Sequence, residues 1–393
     1  VEHQQDPVVI VGGGIGGLSA ALALVRVGVP VRVFEQAPEL AEVGAGIGLW
    51  TNAVRALDHL GVGDAIRRVS TALSVGEFCN PQGDVLSGFD LGALLPDMPG
   101  AAVRIIHRAG LQGALADALP PGVLTTGAVC TGVTQDADGV TVTFDGDDPV
   151  RASLLIGADG IDSAVRAALH GKGKKRYSGQ TAYRGIAEVP PPEPGVVREI
   201  QGPGMRAAVC PIDATRVYWW TAENAPEGQQ DKPEERRAYL LDRFRGWPGG
   251  LPELIAATTS PILRNDLVDR APLDAWTVGR VTLLGDAAHP MLPNLGQGAC
   301  SAIEDGVVLG QSIAAEGVTP AALQRYERAR MARTTRFVKD SWVFGIPVLW
   351  KRAPAVFVRE WLLKLTPESI FARTVRSQIG FDVGPLPASV AGR

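Results

Sequence analysis

The 393-residue chain is poor in features that several function classes require. Its four cysteines (Cys79, Cys130, Cys210, Cys300) lie far apart, without a C-x-x-C pair or a dense framework. No disulfide scaffold is expected, and a reduced, cytoplasmic setting is. The five histidines are equally scattered; no H-E-x-x-H or other local ligand pair occurs, and no metal is expected. Positive charge is not in excess. With 38 Lys and Arg against 42 Asp and Glu the formal charge is −4, which removes the electrostatic case for a nucleic-acid partner. Apolar runs such as "WVFGIPVLW" (Trp342–Trp350) fall far short of the ~20 residues of a membrane span. The first residues, "VEHQQDPVVIVGGG", enter a strand almost at once, without a charged-then-apolar leader. What remains, 46% hydrophobic and 20% charged, suits a globular chain with a large core in one to three domains.

The first positive signal lies in glycine. Val8–Val11 is a β-branched run suited to a strand buried on both faces, and "GGGIGG" follows it. Gly12, Gly14 and Gly17 satisfy G-x-G-x-x-G around Ile15, and the apolar spacing of Leu18, Ala21, Leu22 and Val25 predicts a helix to about Val27. A second strand, "VRVFE", ends in Glu35. The spacing has a mechanism: Gly12 permits a tight turn, Gly14 lets backbone approach a pyrophosphate, and Gly17 lets helix and strand pack closely. Helix N-terminal amides favour the anion, and Glu35 can accept ribose hydroxyls while disfavouring a 2′-phosphate. The pocket should therefore take NAD or FAD rather than NADP.

Other segments repeat this grammar. "VGAGIGLWTNAVRALDHLGVG" (Val43–Gly63) has a glycine bend, including Gly46, that could pass close to a flat ring or be an ordinary loop before a helix. "RIIHRAGLQGALADAL" is read as helical after Arg108, with Leu111, Leu115 and Leu119 on one face. Arg104 and Arg108 near that helix start are oddly placed for a dipole that prefers anions; a nearby bound phosphate would explain them, a solvated arginine being the alternative. The short basic run Lys172, Lys174, Lys175, Arg176 reads as a solvated loop or a contact to an anionic cofactor. The apolar strand Leu154–Ala158 ends in Asp159-Gly160, and "RVTLLGD" ends in Gly285-Asp286. The loop after Asp286 carries His289, Pro293 and Gly296–Gly298 before another helix. Three distant segments thus converge on one extended cofactor.

The set "VGGGIGGL…FE", "IHRAGL", "LLIGADGIDSAVR" and "LLGDAAHPMLPNLGQGACSAIEDG" resembles the class A FAD-dependent aromatic monooxygenases, with the para-hydroxybenzoate hydroxylase fold. Within them it is most similar to the salicylate hydroxylase, zeaxanthin epoxidase and urate hydroxylase branch. The resemblance implies an α/β protein: a Rossmann-like, glutathione-reductase-type FAD-binding domain with an inserted antiparallel β-sheet substrate domain and C-terminal helices. It implies that Gly12–Gly17 (with Ile15) and Glu35 hold the ADP half of FAD, that Arg108 contacts the cofactor, and that the Val129 backbone touches adenine. Asp159 would serve FAD and the nicotinamide donor, Asp286 the ribityl chain, and Gly296, Gln297, Gly298 and Ala299 the isoalloxazine. NAD(P)H would bind transiently and reduce FAD; O2 would then give a C4a-hydroperoxyflavin that passes one oxygen to a small aromatic or unsaturated substrate. No side chain need be a nucleophile, and none is named as a catalytic base. A dehydrogenase or reductase on the same fold, and a non-catalytic escort-type binder, are the rival expectations.

Residues 1–73, 99–176 and 277–336 are expected to form the FAD domain, and 74–98 with 177–276 the substrate domain. The latter carries strand-like pieces divided by Pro and Gly, without βα alternation. Its candidate substrate residues are Tyr183, Arg184, Arg206, Tyr218 and Trp220, joined by Pro293 from the glycine loop. Trp219 and Trp220 alternate faces, so at least one of them is core. "KPEERRAYLLDRFRGW" (Lys232–Trp247) reads as a helix, and His289 as a loop-fixing hydrogen bonder rather than a base. Asn294 stands where urate-acting relatives carry an acid, which argues against a urate-like substrate. Residues 337–393 should add amphipathic helix, with Phe357, Trp361 and Leu365 at i+4 spacing beside Arg359, Glu360 and Lys364. That face could dock on the body, form a dimer contact or touch a membrane; a monomer or a homodimer is expected.

Overall fold

Val8–Val11 is buried along its whole length because it is central in a five-stranded parallel sheet. In the computed structural model, which describes residues 6–40, 45–93 and 102–388, that sheet runs in the order 281–283, 154–157, 8–11, 31–34, 124–125. Strand Leu154–Gly157 flanks Val8–Val11 on one side and Val31–Phe34 on the other, both in parallel register. Val281–Leu283 adds outside Leu154–Gly157, again parallel. The strands after which the sequence places glycines and acids, near residues 12, 159 and 286, are therefore neighbours and end at one edge. Open parallel sheets bind ligands at that edge.

Two helices bring the loops of that edge together. Helix Ile15–Arg26 packs along helix Gly298–Glu316. Their backbones approach because Gly306 and Gly310 face Ser19, Ala20 and Ala23; a Cβ on Gly306 would stand 2.7 Å from the Ala20 amide nitrogen. Around the contact, Leu18, Leu22, Ile303 and Val307 join Leu49, Val54 and Leu57 in one apolar cluster. Burying such side chains stabilises by ~1.5–3 kcal/mol each, so the first and the last cofactor loops are held to a common core.

Above the edge lies a seven-stranded sheet, in the order 263–269, 176–187, 217–224, 205–211, 196–202, 75–79, 85–90. It is antiparallel except for one pairing, Val196–Ile200 alongside Val75–Cys79, which is parallel. The expected inserted antiparallel sheet is present, and its one parallel pairing falls where the chain enters from residues 75–90 rather than by a hairpin. Two smaller sheets complete the chain: 130–135 with 140–144 and 150–152, and 46–49 with 104–107 and 70–72.

Some boundaries move. The segment expected as one helix over Lys232–Trp247 is a short turn at Pro233–Glu235 followed by helix Arg236–Arg243. The helix from Arg108 ends at Asp117, so Leu119 packs from just beyond it. Proline ends the long helix Pro320–Gly345 at Pro347, and two helices follow, Ala353–Leu365 and Glu368–Ile379. The chain then returns to the body, where Asp382 meets Arg55 and His59. Residues 94–101, which contain the expected boundary between segments 74–98 and 99–176, and Val43 and Gly44 of the glycine bend lie outside the described residues.

Candidate active site

The strand ends open into a cleft of about 460 Å³ between the parallel sheet and the seven-stranded sheet. One end is walled by Gly14, Ile15 and Gly16, the other by Gly46, Asp286, Gly296, Gly298 and Ala299, with Arg108 beside Gly46. Segments some 270 residues apart thus share one space.

At the first end the three glycines do different work. Gly12 has φ +110°, and a Cβ there would overlap the Ala158 carbonyl; one on Gly17 would overlap the Gly12 carbonyl. Only Gly14 faces open space, with nothing within 4 Å of where its Cβ would sit. It also caps helix Ile15–Arg26 without any side-chain hydrogen bond, so the first amides of that helix are available to an anion. Glu35 fixes the turn: its Oε2 accepts the Gly13 amide at 2.6 Å and its Oε1 the Ala37 amide at 2.9 Å. Each oxygen keeps further acceptor capacity for a hydroxyl. Gln112 Nε2 supports the same loop by donating to the Gly13 carbonyl at 2.7 Å. Val129 is exposed beside Glu35, whose carbonyl accepts the Ala128 amide at 2.9 Å.

The two arginines separate. Arg108 opens onto the cleft, whereas Arg104 lies in a strand and donates to Ser70 Oγ and to the Arg67 and Ser70 carbonyls. A backbone site, not a phosphate, explains Arg104. Asp159 is likewise turned from the cleft, which only its neighbours Ala158 and Gly160 line. Its Oδ2 accepts the Ala164 amide at 2.7 Å and its Oδ1 the Ser163 hydroxyl, capping the short helix Ala164–His170. Burial raises its carboxyl pKa, with those hydrogen bonds opposing. Its side chain thus braces the motif expected to serve FAD and the nicotinamide donor by capping that helix. In the basic run, Lys175 pairs with Asp162 and Arg176 with Asp269.

At the other end Asp286 faces the cleft interior, yet the surrounding protein desolvates it and raises its pKa; His289 and Arg108 pull it down. Gly296 has φ +63° and brings Gly298 and Ala299 to the wall. Gln297 does not join them by its side chain. That amide is fully buried, its Oε1 accepting from Asn52 Nδ2 at 3.1 Å. The loop rests on a buried charge cluster. His289 Nε2 lies 2.6 Å from Asp305 Oδ2, and Arg330 binds Asp305 and Glu304 at 2.6 Å each. Burial works against the Arg330 cation, but Glu304 and Asp305 outweigh it and raise its pKa. Burial also opposes the Asp305 anion, and the charges of His289 and Arg330 hold its carboxyl below the usual range. His289 therefore fixes the loop, as expected of it.

Strand alternation decides the roof. Arg184, Arg206, Tyr218 and Trp220 face the cleft, with Pro293 at its rim. Tyr183 does not: it points through the sheet into a cluster with Leu240, Phe244 and Ile255. The expectation for Tyr183 is corrected, since adjacent residues of a strand point to opposite faces. Trp219 is the core member of its pair, its Nε1 donating to Thr258 Oγ1 at 2.8 Å. The Arg206 guanidinium is stacked 5.2 Å from the Trp220 ring centre, donates to Asn294 Oδ1, and leaves its buried Nε without a partner. Burial lowers its pKa while Glu199, 3.7 Å away, raises it. Burial pushes the Tyr218 phenol up, so it stays a neutral donor. Gly46 is packed on the Tyr218 ring, where any Cβ would overlap it.

Sequence reasoning missed Glu199, Met291 and Leu292, which also line the cleft. Met291 and Leu292 sit in the loop already singled out, so reading that loop residue by residue could have found them. Glu199, an acid in "VVREIQG", carries no local signal.

The residues present fit an extended flavin nucleotide: uncapped amides and Arg108 for its phosphates, Glu35 for a ribose, and glycine-walled backbone at residues 46–48 and 296–298 for a flat ring. Comparison with known proteins agrees. The FAD binding domain family matches residues 5–341. The chain is 42% identical to aurachin C monooxygenase/isomerase of Stigmatella aurantiaca, over 94% of this chain and 97% of that protein. It is 38% identical to 3-amino-4-hydroxybenzoate 2-monooxygenase PtnB3 of Streptomyces platensis, over 85% and 86%. Among solved structures, Klebsiella pneumoniae HpxO complexed with FAD and uric acid superposes with a TM-score of 0.90 at 30% identity, covering 98% of this chain and 99% of that one. The chain belongs to the FAD-dependent monooxygenases of the para-hydroxybenzoate hydroxylase fold.

Proposed function

We propose that this monooxygenase places one atom of O2 on a flat, electron-rich aromatic or unsaturated small molecule that carries a hydrogen-bond acceptor or an anionic group. When bound, FAD supplies the redox chemistry, accepting two electrons from NAD(P)H; substrate, O2, NAD(P)H and a proton give oxygenated substrate, NAD(P)+ and water. The chain's own residues bind, orient and exclude water. Gly12, Gly14, Ile15, Gly17 and Arg108 hold the phosphates, Glu35 and the Val129 backbone the adenosine, and Asp286 the ribityl chain. Gly46 and the backbone of Gly296–Ala299 form the slot for the ring. Asp159 and Gln297 act by holding these loops in place. Residues 1–73, 99–176 and 277–336 make this cofactor half, 74–98 and 177–276 the roof, and 337–393 the C-terminal addition.

The observation that carries the substrate class is Arg206. It is a buried cation facing the cleft, stacked on Trp220 and holding an unused N–H donor. Burial disfavours the cation, and an acceptor or anionic group on a substrate in the cleft offsets that desolvation. Tyr218 adds a neutral hydroxyl donor. Leu267 and Leu292 give apolar walls that keep water from the ring.

The test is NAD(P)H consumption screened against phenols, indoles, purines and polyenes, with mass spectrometry of the product. A gain of one oxygen, labelled when 18O2 is used, is expected for an aromatic or unsaturated compound bearing an acceptor. Turnover that yields the same product without O2 would make the protein a dehydrogenase.

A further inference from the structure

The helix Ala353–Leu365 is mounted with its polarity inverted. Its arginine is inside: Arg359 is only 4% exposed and donates to the carbonyls of Gln201 and Gly202 at 3.1 and 3.2 Å. Its apolar residues are outside: Phe357 and Leu365 are each 61% exposed, Trp361 53%. Val358 and Leu362 continue the same stripe, and Val343, Phe344, Ile346 and Ile370 extend it over the adjoining helices. The helix is no loose tail. Before it Val348 is buried and the Trp350 carbonyl accepts the Gly204 amide at 2.8 Å; beyond it Ile379 is buried in the core and Asp382 is paired with Arg55 and His59, so both sides of the segment are anchored. A contiguous apolar surface of this kind marks an interaction site.

Charge selects the occupant. Among the residues whose side chains are described, Lys339, Lys351, Arg352, Lys364 and Arg373 are exposed along the same segment, against Asp340, already paired with Arg336, and the half-buried Glu360. A second copy docked by two-fold symmetry would bring these like charges together. An anionic bilayer meets both the apolar stripe and the basic residues. The surface also adjoins the site: a small apolar cavity lined by Leu349, Ile346 and Trp342 shares Leu267, Leu292 and Asn294 with the cleft. We propose that Phe357, Trp361, Leu362 and Leu365 seat this protein on the surface of an anionic membrane, presenting that side of the cleft to lipid-dissolved compounds.

The experiment is vesicle flotation of the FAD-loaded protein, with phosphatidylcholine alone and with phosphatidylcholine mixed with phosphatidylglycerol. Binding is expected only to the anionic vesicles, falling as salt rises. The triple variant Phe357→Ser, Trp361→Ser, Leu365→Ser should lose at least about tenfold in vesicle affinity while keeping its flavin absorbance and thermal midpoint. The variant Lys351→Glu, Lys364→Glu should lose the preference for phosphatidylglycerol, which reports on docking even if the triple variant misfolds. Wild-type protein that stays off phosphatidylglycerol vesicles at low salt overturns the proposal. So does a wild-type dimer in sedimentation that the triple variant converts to monomer, because the surface then belongs to a second copy.

Discussion

The floor and the roof of the cleft are built on different principles. The floor is backbone: glycines, helix amides and carbonyls set by a parallel sheet, with side chains such as Glu35 and Asp159 bracing the loops. The roof is side chain: Arg184, Arg206, Tyr218 and Trp220 project from alternate positions of an otherwise antiparallel sheet. A floor of backbone tolerates almost no substitution and recognises what every family member holds in common. A roof of side chains can change one residue at a time without disturbing the sheet that carries it.

The sharpest way to test the contrast is at Gly17. A Cβ there overlaps the Gly12 carbonyl, with no flexible atom to give way. Gly17→Ala is expected to cost more than about tenfold in FAD affinity, read from flavin absorbance after gel filtration, or to prevent folding outright. Next is the brace beneath the ring end. Arg330→Ala removes the buried cation shared by Glu304 and Asp305, which keep Arg333 with Asn52 and His289 respectively, and should destabilise by ~3 kcal/mol in chemical denaturation. The pH dependence has a definite sign. Asp305 is held below the usual carboxylate range, so its contribution is present above the ordinary value of about 3.9 and is lost as pH falls through its depressed folded value. Asp305→Asn should flatten that part of the acid limb.

In the roof the expected effects are smaller and fall on turnover rather than folding. Arg206→Gln removes a charged donor, a loss of ~1.5–3 kcal/mol, and should lower kcat/KM about 10- to 100-fold with FAD retention unchanged. A loss of flavin instead would move Arg206 from roof to floor. The two sheet faces give the mildest test. Tyr218→Phe should lower kcat/KM about fivefold, one neutral hydrogen bond, and Tyr183→Phe less than about twofold. Equal effects would erase the distinction between the faces.

The same contrast explains what the sequence made legible. Gly12, Gly14 and Gly17 are readable because each backbone requirement admits one residue type, and their spacing is fixed by one turn. The strand ends at Asp159 and Asp286 were readable for the same reason, although the Asp159 side chain serves a helix cap. Alternation in the roof fixes which residues share a face but not which face meets the cleft, so Tyr183 and Arg184 could not be told apart. Glu199 and the Arg330–Asp305 pair were invisible because their pairing depends on strand register and helix packing that no local pattern shows: Arg206 on the next strand, and a helix 25 residues on. The inverted helix was legible as amphipathic, but which side faces outward depends on carbonyls at Gln201 and Gly202.

The parallel pairing of residues 8–11 with 154–157, and of these with 281–283, bears on synthesis. A growing chain displays its glycine turn early, yet the far wall of the groove is not translated until about residue 299. Cofactor capture must therefore await synthesis through residue 299, and chains cut short before that point should emerge colourless however well their first strands have formed.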